Sequence, residues 1–255
     1  MKGSRLKPAQ KIAEYVDEIL IIENYDVKDN FSLPLFANGK PTLLFQNTLG
    51  TINNTKNYLT LFGQTVLPEK ITFSDNFTLI AYFFKPFSLK ALFGFSAQEF
   101  TDNPINLNLV DYKVASELQE KLLNALSIQA MLTILDGFIF GLINKIQISN
   151  KLIDYATKLI AENPSKQILT KAQNEIFVTE RTFQRMFKKE VGISPDQYRR
   201  IAQFNSAFQQ LNTGLFKQLT DIVFNNGYAD QSHFIRTFKE FTNLTPKAYL
   251  NLGKQ

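Results

Sequence analysis

The chain has 255 residues, with 28 Lys and Arg against 23 Asp and Glu, one His and no Cys. The absence of cysteine excludes a disulfide, a thiolate metal site and a cysteine nucleophile, and a single histidine excludes a metal centre built from several histidines. The length suits one large domain or two smaller ones. The charged first residues have no apolar run behind them, so we expect no secretory signal and a cytoplasmic location.

The charge is unevenly distributed along the chain. Residues 1–150 contain 13 Lys and Arg and 14 Asp and Glu, a net charge of −1, whereas residues 151–255 contain 15 and 9, a net charge of +6. A basic module joined to a near-neutral one suggests a polyanionic partner for the basic module. A solvated surface with surplus lysines would give the same net charge. The positions of the charges must therefore decide between a polyanionic partner and such a surface.

Short apolar or alternating runs, separated by turn-rich segments, make up the chain from about Tyr15 to Phe95. Runs of strand length at this spacing predict an antiparallel sandwich or barrel. The many Phe and Leu residues are expected to fill its core, although some of them could line a pocket. The predicted strands contain residues 19–22, 42–45, 58–62, 71–73 and 77–84.

The apolar pattern then changes to a helical period. One stripe has a residue every four positions, and the following segment, 128–146, is apolar and of helical length. Polar residues within that segment, among them Asp136, argue against a membrane span. We expect these helices to pack on the first half of the chain or to pair two subunits. The stripe consists of Val114, Leu118, Leu122 and Leu126.

Helix signals continue to the end of the chain. Helices are predicted over Lys151–Glu162, from near Thr179, from Ser194-Pro195 to about Gly214, and over Leu219–Asn225. A serine cap followed by a first-turn proline is a typical helix start. The inner face of the long third helix is predicted to consist of Tyr198, Ile201, Phe204, Phe208 and Leu211.

The basic module contains an internal repeat with an offset of 51 residues. The pattern Phe183-x-Arg185-x-Phe187-Lys188 recurs as Phe234-x-Arg236-x-Phe238-Lys239, and each copy is followed by a hydroxyl residue, Pro and Tyr at matching spacing. Two copies of a short helix, a turn, a second helix and a capped third helix would explain this repeat.

The second helix of each copy is sharply amphipathic. The predicted inward faces carry Phe183, Met186 and Phe187 in the first copy and Phe234, Phe238 and Phe241 in the second. The outward residue types suit base edges and phosphates, because Arg pairs with guanine, Gln with adenine, and Lys with phosphate oxygens. The outward faces carry Arg181, Gln184, Arg185 and Lys188, and in the second copy Ser232, His233, Arg236 and Lys239.

The residues from about 151 to the end resemble the DNA-binding domain of the AraC/XylS family. The strongest match is the run from Gly227 to Phe234, followed by Arg236-Thr237-Phe238-Lys239 and Thr245-Pro246-x-x-Tyr249. The resemblance implies seven helices with two helix-turn-helix motifs joined by one long helix. It also implies base contacts from Arg181, Gln184 and Arg185 in the first motif, and from Gln231, Ser232, His233 and Arg236 in the second.

The first motif departs from the family pattern at two positions. Phe177 stands where the turn normally has Gly, and Gln173 stands where the preceding helix prefers Ala. Glycine adopts a positive φ at little cost, whereas an aromatic residue there is strained. We therefore expect either a rebuilt turn or a first recognition helix presented at a changed angle.

The N-terminal half resembles, more weakly, the cupin-like sensor domains that precede such modules. The matching residues include Asn38-Gly39-Lys40-Pro41 and Phe84-Lys85-Pro86-Phe87. Metal-binding cupins use several His and none lies in this half, so the resemblance implies a metal-free pocket for a small molecule that the sequence does not identify. The predicted fold class is α+β with several domains, namely a β-rich barrel or sandwich over 1–112, a helical linker with a candidate dimerisation role over 113–148, and a helical DNA-binding bundle over 149–255.

These observations predict a sequence-specific transcriptional regulator without a cofactor or catalytic residues. Its expected partner is double-stranded DNA, and RNA polymerase, a small-molecule effector and a second copy of the chain are further candidate partners. Two alternatives stay open, namely an interaction protein whose DNA-binding module has decayed, and a small-molecule enzyme on the β-rich half. A Ser-His or metal site in that enzyme would need the sole histidine, His233, which lies in the second recognition helix.

Overall fold

The computed structural model describes residues 1–146, 151–214 and 216–252. Its first part is an antiparallel sheet. The strands are β1 (Lys2–Leu6), β2 (Val16–Asn24), β3 (Phe31–Leu35), β4 (Thr42–Ile52), β5 (Thr55–Phe62), β6 (Glu69–Phe73), β7 (Phe77–Phe84) and β8 (Ile105–Asn106). Their order is β1-β2-β7-β4-β5-β8, and β3 pairs with β6, which also pairs with β4.

Strand β7 lies at the centre of the sheet, between β2 and β4. It is apolar along almost its whole length because both faces of the sheet are covered. On one face, Phe45 and Tyr82 pack in a core shared with helices. On the other face, Leu44 and Leu79 pack beneath the pair of strands β3 and β6. The sheet therefore folds over itself as a sandwich.

Ten α-helices lie in the described part of the chain. The first three belong to the sheet half and are α1 (Ser88–Phe93), α2 (Tyr112–Leu123) and α3 (Ile128–Ile143). Short 3-10 turns cover Ala97–Phe100 and Leu107–Leu109. The remaining seven are α4 (Lys151–Glu162), α5 (Gln167–Glu175), α6 (Glu180–Val191), α7 (Pro195–Thr213), α8 (Leu219–Asn225), α9 (Gln231–Thr242) and α10 (Pro246–Leu252).

Helices α2 and α3 pack against the sheet. Leu118 and Leu122 are buried, and the Tyr82 hydroxyl donates a hydrogen bond to Asp136 Oδ1 at 2.7 Å. Burial, reinforced by that carboxylate, raises the pKa of Tyr82 far above its ordinary value, so the hydroxyl stays protonated. The two leucines of the predicted stripe thus pack within their own chain, and the pairing of two subunits through this segment stays a prediction. Leu126 is fully exposed.

The two halves meet along two seams. At the first, Phe36 packs edge-on against Phe208 of α7 at a ring-centroid distance of 5.6 Å, and Gly39 lies against the Tyr198 ring. At the second, Lys90 forms an ion pair with Glu190 at the end of α6. Each seam therefore joins a loop or short helix of the sheet half to the helical half.

The predicted fold class is confirmed. The N-terminal half is β-rich with an antiparallel sheet, and the C-terminal half is helical with a long α7 between two shorter helix pairs. The helices predicted at Lys151–Glu162 and Leu219–Asn225 have those bounds, whereas the one predicted over 128–146 ends at Ile143. The expected boundary between 148 and 149 lies outside the described residues. In the part of the chain that the structure describes, no helix is long and apolar enough to cross a membrane.

Candidate nucleic-acid interface

The first helix-turn-helix motif consists of α5, a tight turn and α6. Thr179 caps α6, because its hydroxyl accepts the backbone N–H of Thr182 at 3.3 Å. Phe183 and Phe187 are buried on the inner face of α6. The residues predicted to face outward are all exposed, namely Arg181, Gln184, Arg185 and Lys188.

The turn of this first motif keeps the left-handed conformation. Phe177 has a φ of +55° and Gly227, in the turn of the second motif, has a φ of +68°. Both turns therefore place one residue in the region that favours glycine. The expectation of a rebuilt turn is wrong, because Phe177 adopts the strained conformation instead of avoiding it. Its ring is 93% exposed. Gln173 in α5 is half-buried.

The second motif consists of α8, a turn and α9. Asp230 caps α9 by accepting the backbone N–H of His233 at 2.7 Å. The His233 side chain is half-buried, with its ring 5.3 Å from that of Tyr228, so it faces outward less fully than expected. The other residues predicted for DNA contact are exposed, namely Gln231, Ser232, Arg236 and Lys239.

An aromatic core fixes α9 against the long helix α7. The Phe204 ring lies 5.4 Å from Phe208, 5.6 Å from Phe238 and 5.1 Å from Phe241, measured between centroids. Phe204, Phe238 and Phe241 are fully buried. Because these aromatic residues are bulky and densely packed, they hold the second recognition helix at a defined angle to α7.

A buried polar network extends from α7 to both ends of the module. The Arg199 guanidinium donates to Asp196 Oδ1 at 2.9 Å, to the Pro164 carbonyl at 3.2 Å and to Gln203 Oε1 at 3.2 Å. Gln203 Nε2 in turn donates to the carbonyls of Asn226 and Gly227. The network thus ties the loop before α5 and the turn before α9 to one helix. Sequence reasoning missed it, because the helical pattern around Arg199 does not distinguish a buried cation from an exposed one.

A cavity of about 610 Å³ lies between the sheet half and the helical half. Apolar side chains of the sheet, among them Leu44, Phe62 and Phe83, line one wall, and residues of α4 and α7 line the other. The volume falls in the range of small-molecule pockets. Tyr198 also lines the cavity, and burial, aided by the charge of Asp17, raises the pKa of its hydroxyl well above the ordinary value.

The cavity also contains charged side chains. Three of its cations form ion pairs, namely Arg5 with Glu18, Lys40 with Asp17 and Lys158 with Asp154. The side chain of the fourth, Lys85, has no polar partner among the described residues, and it is half-buried. The apolar residues of the β-rich half and the weak cupin-like resemblance indicated a pocket, but no sequence pattern indicated that α4 and α7 would form one of its walls.

Comparisons with known proteins agree with this architecture. A family model described as a helix-turn-helix domain matches residues 174–251, and a domain of unknown function (DUF6597) matches residues 4–106. No curated protein sequence matches significantly.

Among solved structures, ToxT from Vibrio cholerae O395 is similar at 15% identity, with a TM-score of 0.51 over 91% of this chain and 97% of ToxT. ToxT of strain SCE256 with a bound unsaturated fatty acid matches over 91% of this chain and 94% of that chain, at 15% identity and a TM-score of 0.50. The O395 protein bound to (E)-4-(8-methylnaphthalen-1-yl)but-3-enoic acid matches over 91% and 98%, at 15% identity and a TM-score of 0.51. At this identity the matches show a shared fold.

The repeated motifs, the long connecting helix and the matched domain define a DNA-binding transcription regulator of the helix-turn-helix class. More particularly, the seven-helix module with the run from Gly227 to Phe234 resembles the DNA-binding domain of the AraC/XylS family, and the two-part fold is shared with ToxT.

Proposed function

We propose that this regulator recognises a specific duplex sequence with two recognition helices, α6 and α9, that enter successive segments of the major groove. The observation that supports this most strongly is the duplicated, capped amphipathic helix, which presents exposed cations in both copies. Helix-turn-helix proteins contact base edges with the N-terminal residues of such helices.

Individual roles follow from residue chemistry and exposure. Arg pairs with guanine and Gln with adenine, whereas Lys neutralises phosphates and fixes the register. His233 is half-buried against Tyr228, so we expect it to position α9 and to touch DNA only with the ring edge. The proposed base contacts are Arg181, Gln184, Arg185, Gln231, Ser232 and Arg236, and the proposed phosphate contacts are Lys188 and Lys239.

The spacing of the two contacts depends on α7. Because Phe204 and Gln203 fix the second motif on this helix, the two recognition helices should move as one body. Two helices that read the same face of B-DNA are about 34 Å apart, one helical turn. We therefore expect a site of two short segments, and inserting half a turn of DNA between them should abolish tight binding.

The test is selection from random duplexes followed by gel shifts. Arg185→Ala and Arg236→Ala should each weaken binding to the selected sequence by about 10-fold or more and relax the preference at one base pair. Lys188→Ala should weaken binding to all sequences and reduce the slope of affinity against salt by about 1. Lys113→Ala, an exposed lysine of α2, is the matched control. If the wild type bound every duplex equally, the proposal would fail.

We further propose that the cavity between the halves binds a small acidic amphiphile as effector. Its apolar wall suits a hydrocarbon body, and Lys85 is a cation whose side chain has no polar partner among the described residues. The fatty acid named for ToxT has this chemistry. Because α4 and α7 form one wall, occupancy would favour one arrangement of the halves and so change DNA affinity.

Oleate is a suitable probe for this cavity. Calorimetric titration should show saturable binding, which Lys85→Gln weakens by about 10-fold because a charged hydrogen bond is lost. Lys113→Gln should leave the affinity unchanged. Equal affinity for oleate and oleyl alcohol would contradict recognition of the acid.

The enzyme alternative has less support. The three carboxylates that line the cavity, Asp17, Glu18 and Asp154, are held in ion pairs with Lys40, Arg5 and Lys158, which suits a structural role better than proton transfer. A decayed DNA module also has less support, because both recognition helices keep their caps, buried faces and exposed cations.

A further inference from the structure

Phe177 combines two unfavourable properties. Its backbone has a φ of +55°, a region in which a side chain is strained, and its ring is 93% exposed to solvent. Glycine would remove the strain and asparagine would reduce it, and either would remove an apolar group from water. Folding therefore does not explain the phenylalanine, whereas strain of this kind concentrates at functional sites.

Its position indicates what the ring could contact. Phe177 stands two residues before Thr179, the cap of α6, so its Cα lies within about 7 Å of the start of that helix. Arg181, four residues further on, is exposed on the face proposed to read bases. The end of α6 that enters the groove is thus bordered by an exposed aromatic ring, and the surface is continuous with the proposed DNA contacts.

We propose that Phe177 is a specificity-determining residue that packs its ring on a thymine methyl group at the outer edge of the first DNA segment. This inference rests on the proposed DNA-binding function. The C5-methyl of thymine is the apolar group that the major groove displays, and phenylalanine is one of the side chains suited to it. The major groove is about 12 Å wide, so a turn residue next to the N-terminal end of the recognition helix lies within reach of a base edge.

The experiment separates binding from stability. Phe177→Gly should raise the melting temperature of the full chain by about 2–4 °C, because it relieves left-handed strain. The same variant should weaken binding to the selected duplex by about 5- to 30-fold, because a partly buried ring is lost. A residue that only supported the fold would move stability and affinity in the same direction. Phe177→Asn tolerates the same backbone region and should show the same loss of affinity.

A modified duplex identifies the contacted group. Replacing the thymines of the first segment by uracil removes only methyl groups, and should weaken wild-type binding by about fourfold for the contacted methyl. Phe177→Gly should not respond to this replacement. Tyr112→Ala, which removes another exposed aromatic ring, should bind both duplexes as the wild type does.

The possible outcomes distinguish the two proposals. If Phe177→Gly binds as tightly as the wild type, or loses affinity equally for thymine and uracil duplexes, the methyl contact is wrong while the regulator proposal stands. If the wild type shows no sequence preference and Arg185→Ala has no effect, both proposals fail.

Discussion

The seam between the first recognition helix and the sheet half can be tested with one methyl group. Gly192, which follows α6, has a φ of +100°, and a Cβ there would lie 2.7 Å from the Ala97 carbonyl oxygen and 2.9 Å from Thr101 Oγ1. Thr101 Oγ1 also donates a hydrogen bond to the Gly192 carbonyl at 3.0 Å. Gly192→Ala therefore adds a methyl group that the docked arrangement cannot hold without moving backbone.

The magnitude follows from a matched pair of glycines. Gly214 ends α7 with a φ of +66°, and no described atom lies within 4 Å of an added Cβ. Gly214→Ala should cost only the left-handed strain, about 1–2 kcal/mol. Gly192→Ala should cost that strain plus about 1–3 kcal/mol of overpacking at the seam. The difference between the two variants isolates the contact between the halves.

Thermal unfolding and hydrogen exchange provide the readout. A chain of two units need not unfold in one step, so exchange at residues 97–101 and 188–192 reports the seam directly. Gly192→Ala should speed exchange in both segments, whereas Gly214→Ala should not. Equal destabilisation by the two variants, with unchanged exchange at both segments, would show that the seam does not form in solution.

Three further outcomes are expected. Gln203→Leu removes the Nε2 donor that lies 2.9 and 3.1 Å from the carbonyl oxygens of Asn226 and Gly227, before α9. The free energy of unfolding, measured in urea, should fall by about 2–4 kcal/mol. A decrease below about 1 kcal/mol would contradict this role. Phe204→Ala should lower the free energy of unfolding by about 3–5 kcal/mol, followed by thermal melting, and should weaken specific DNA binding in a gel shift. Unchanged DNA binding would show that the aromatic core does not orient α9. Two backbone N–H groups that donate to Asp221 lower the pKa of its carboxyl, so the stabilisation is present above the ordinary pKa of 3.8 and disappears as the pH falls through the lowered value. Asp221→Asn should therefore lower the melting temperature at neutral pH and leave it unchanged in strong acid. An equal effect at both pH values would refute this linkage.

Local patterns predicted much of the helical half. The 51-residue repeat, the caps at Thr179 and Ser194 and the glycine at 214 located α6, α7 and α9, because capping and amphipathic period depend on residues close in sequence. The exposed and buried faces of both recognition helices followed from the same period. In the sheet half the alternation located most strands but not their order, because pairing joins distant segments.

The sequence by itself determined the class of this protein, since two capped amphipathic helices with matching apolar faces and outward cations, 51 residues apart, predict a helix-turn-helix domain. Only the tertiary structure decided the rest. It buried Leu118, Leu122 and Arg199. It also brought α4 and α7 against the sheet, where they form one wall of a cavity that Lys85 lines. It placed Phe177 in a left-handed conformation with its ring in solvent. Each of these features depends on groups that are far apart in the chain, and their meeting is set by the packing of whole elements, which no local pattern encodes.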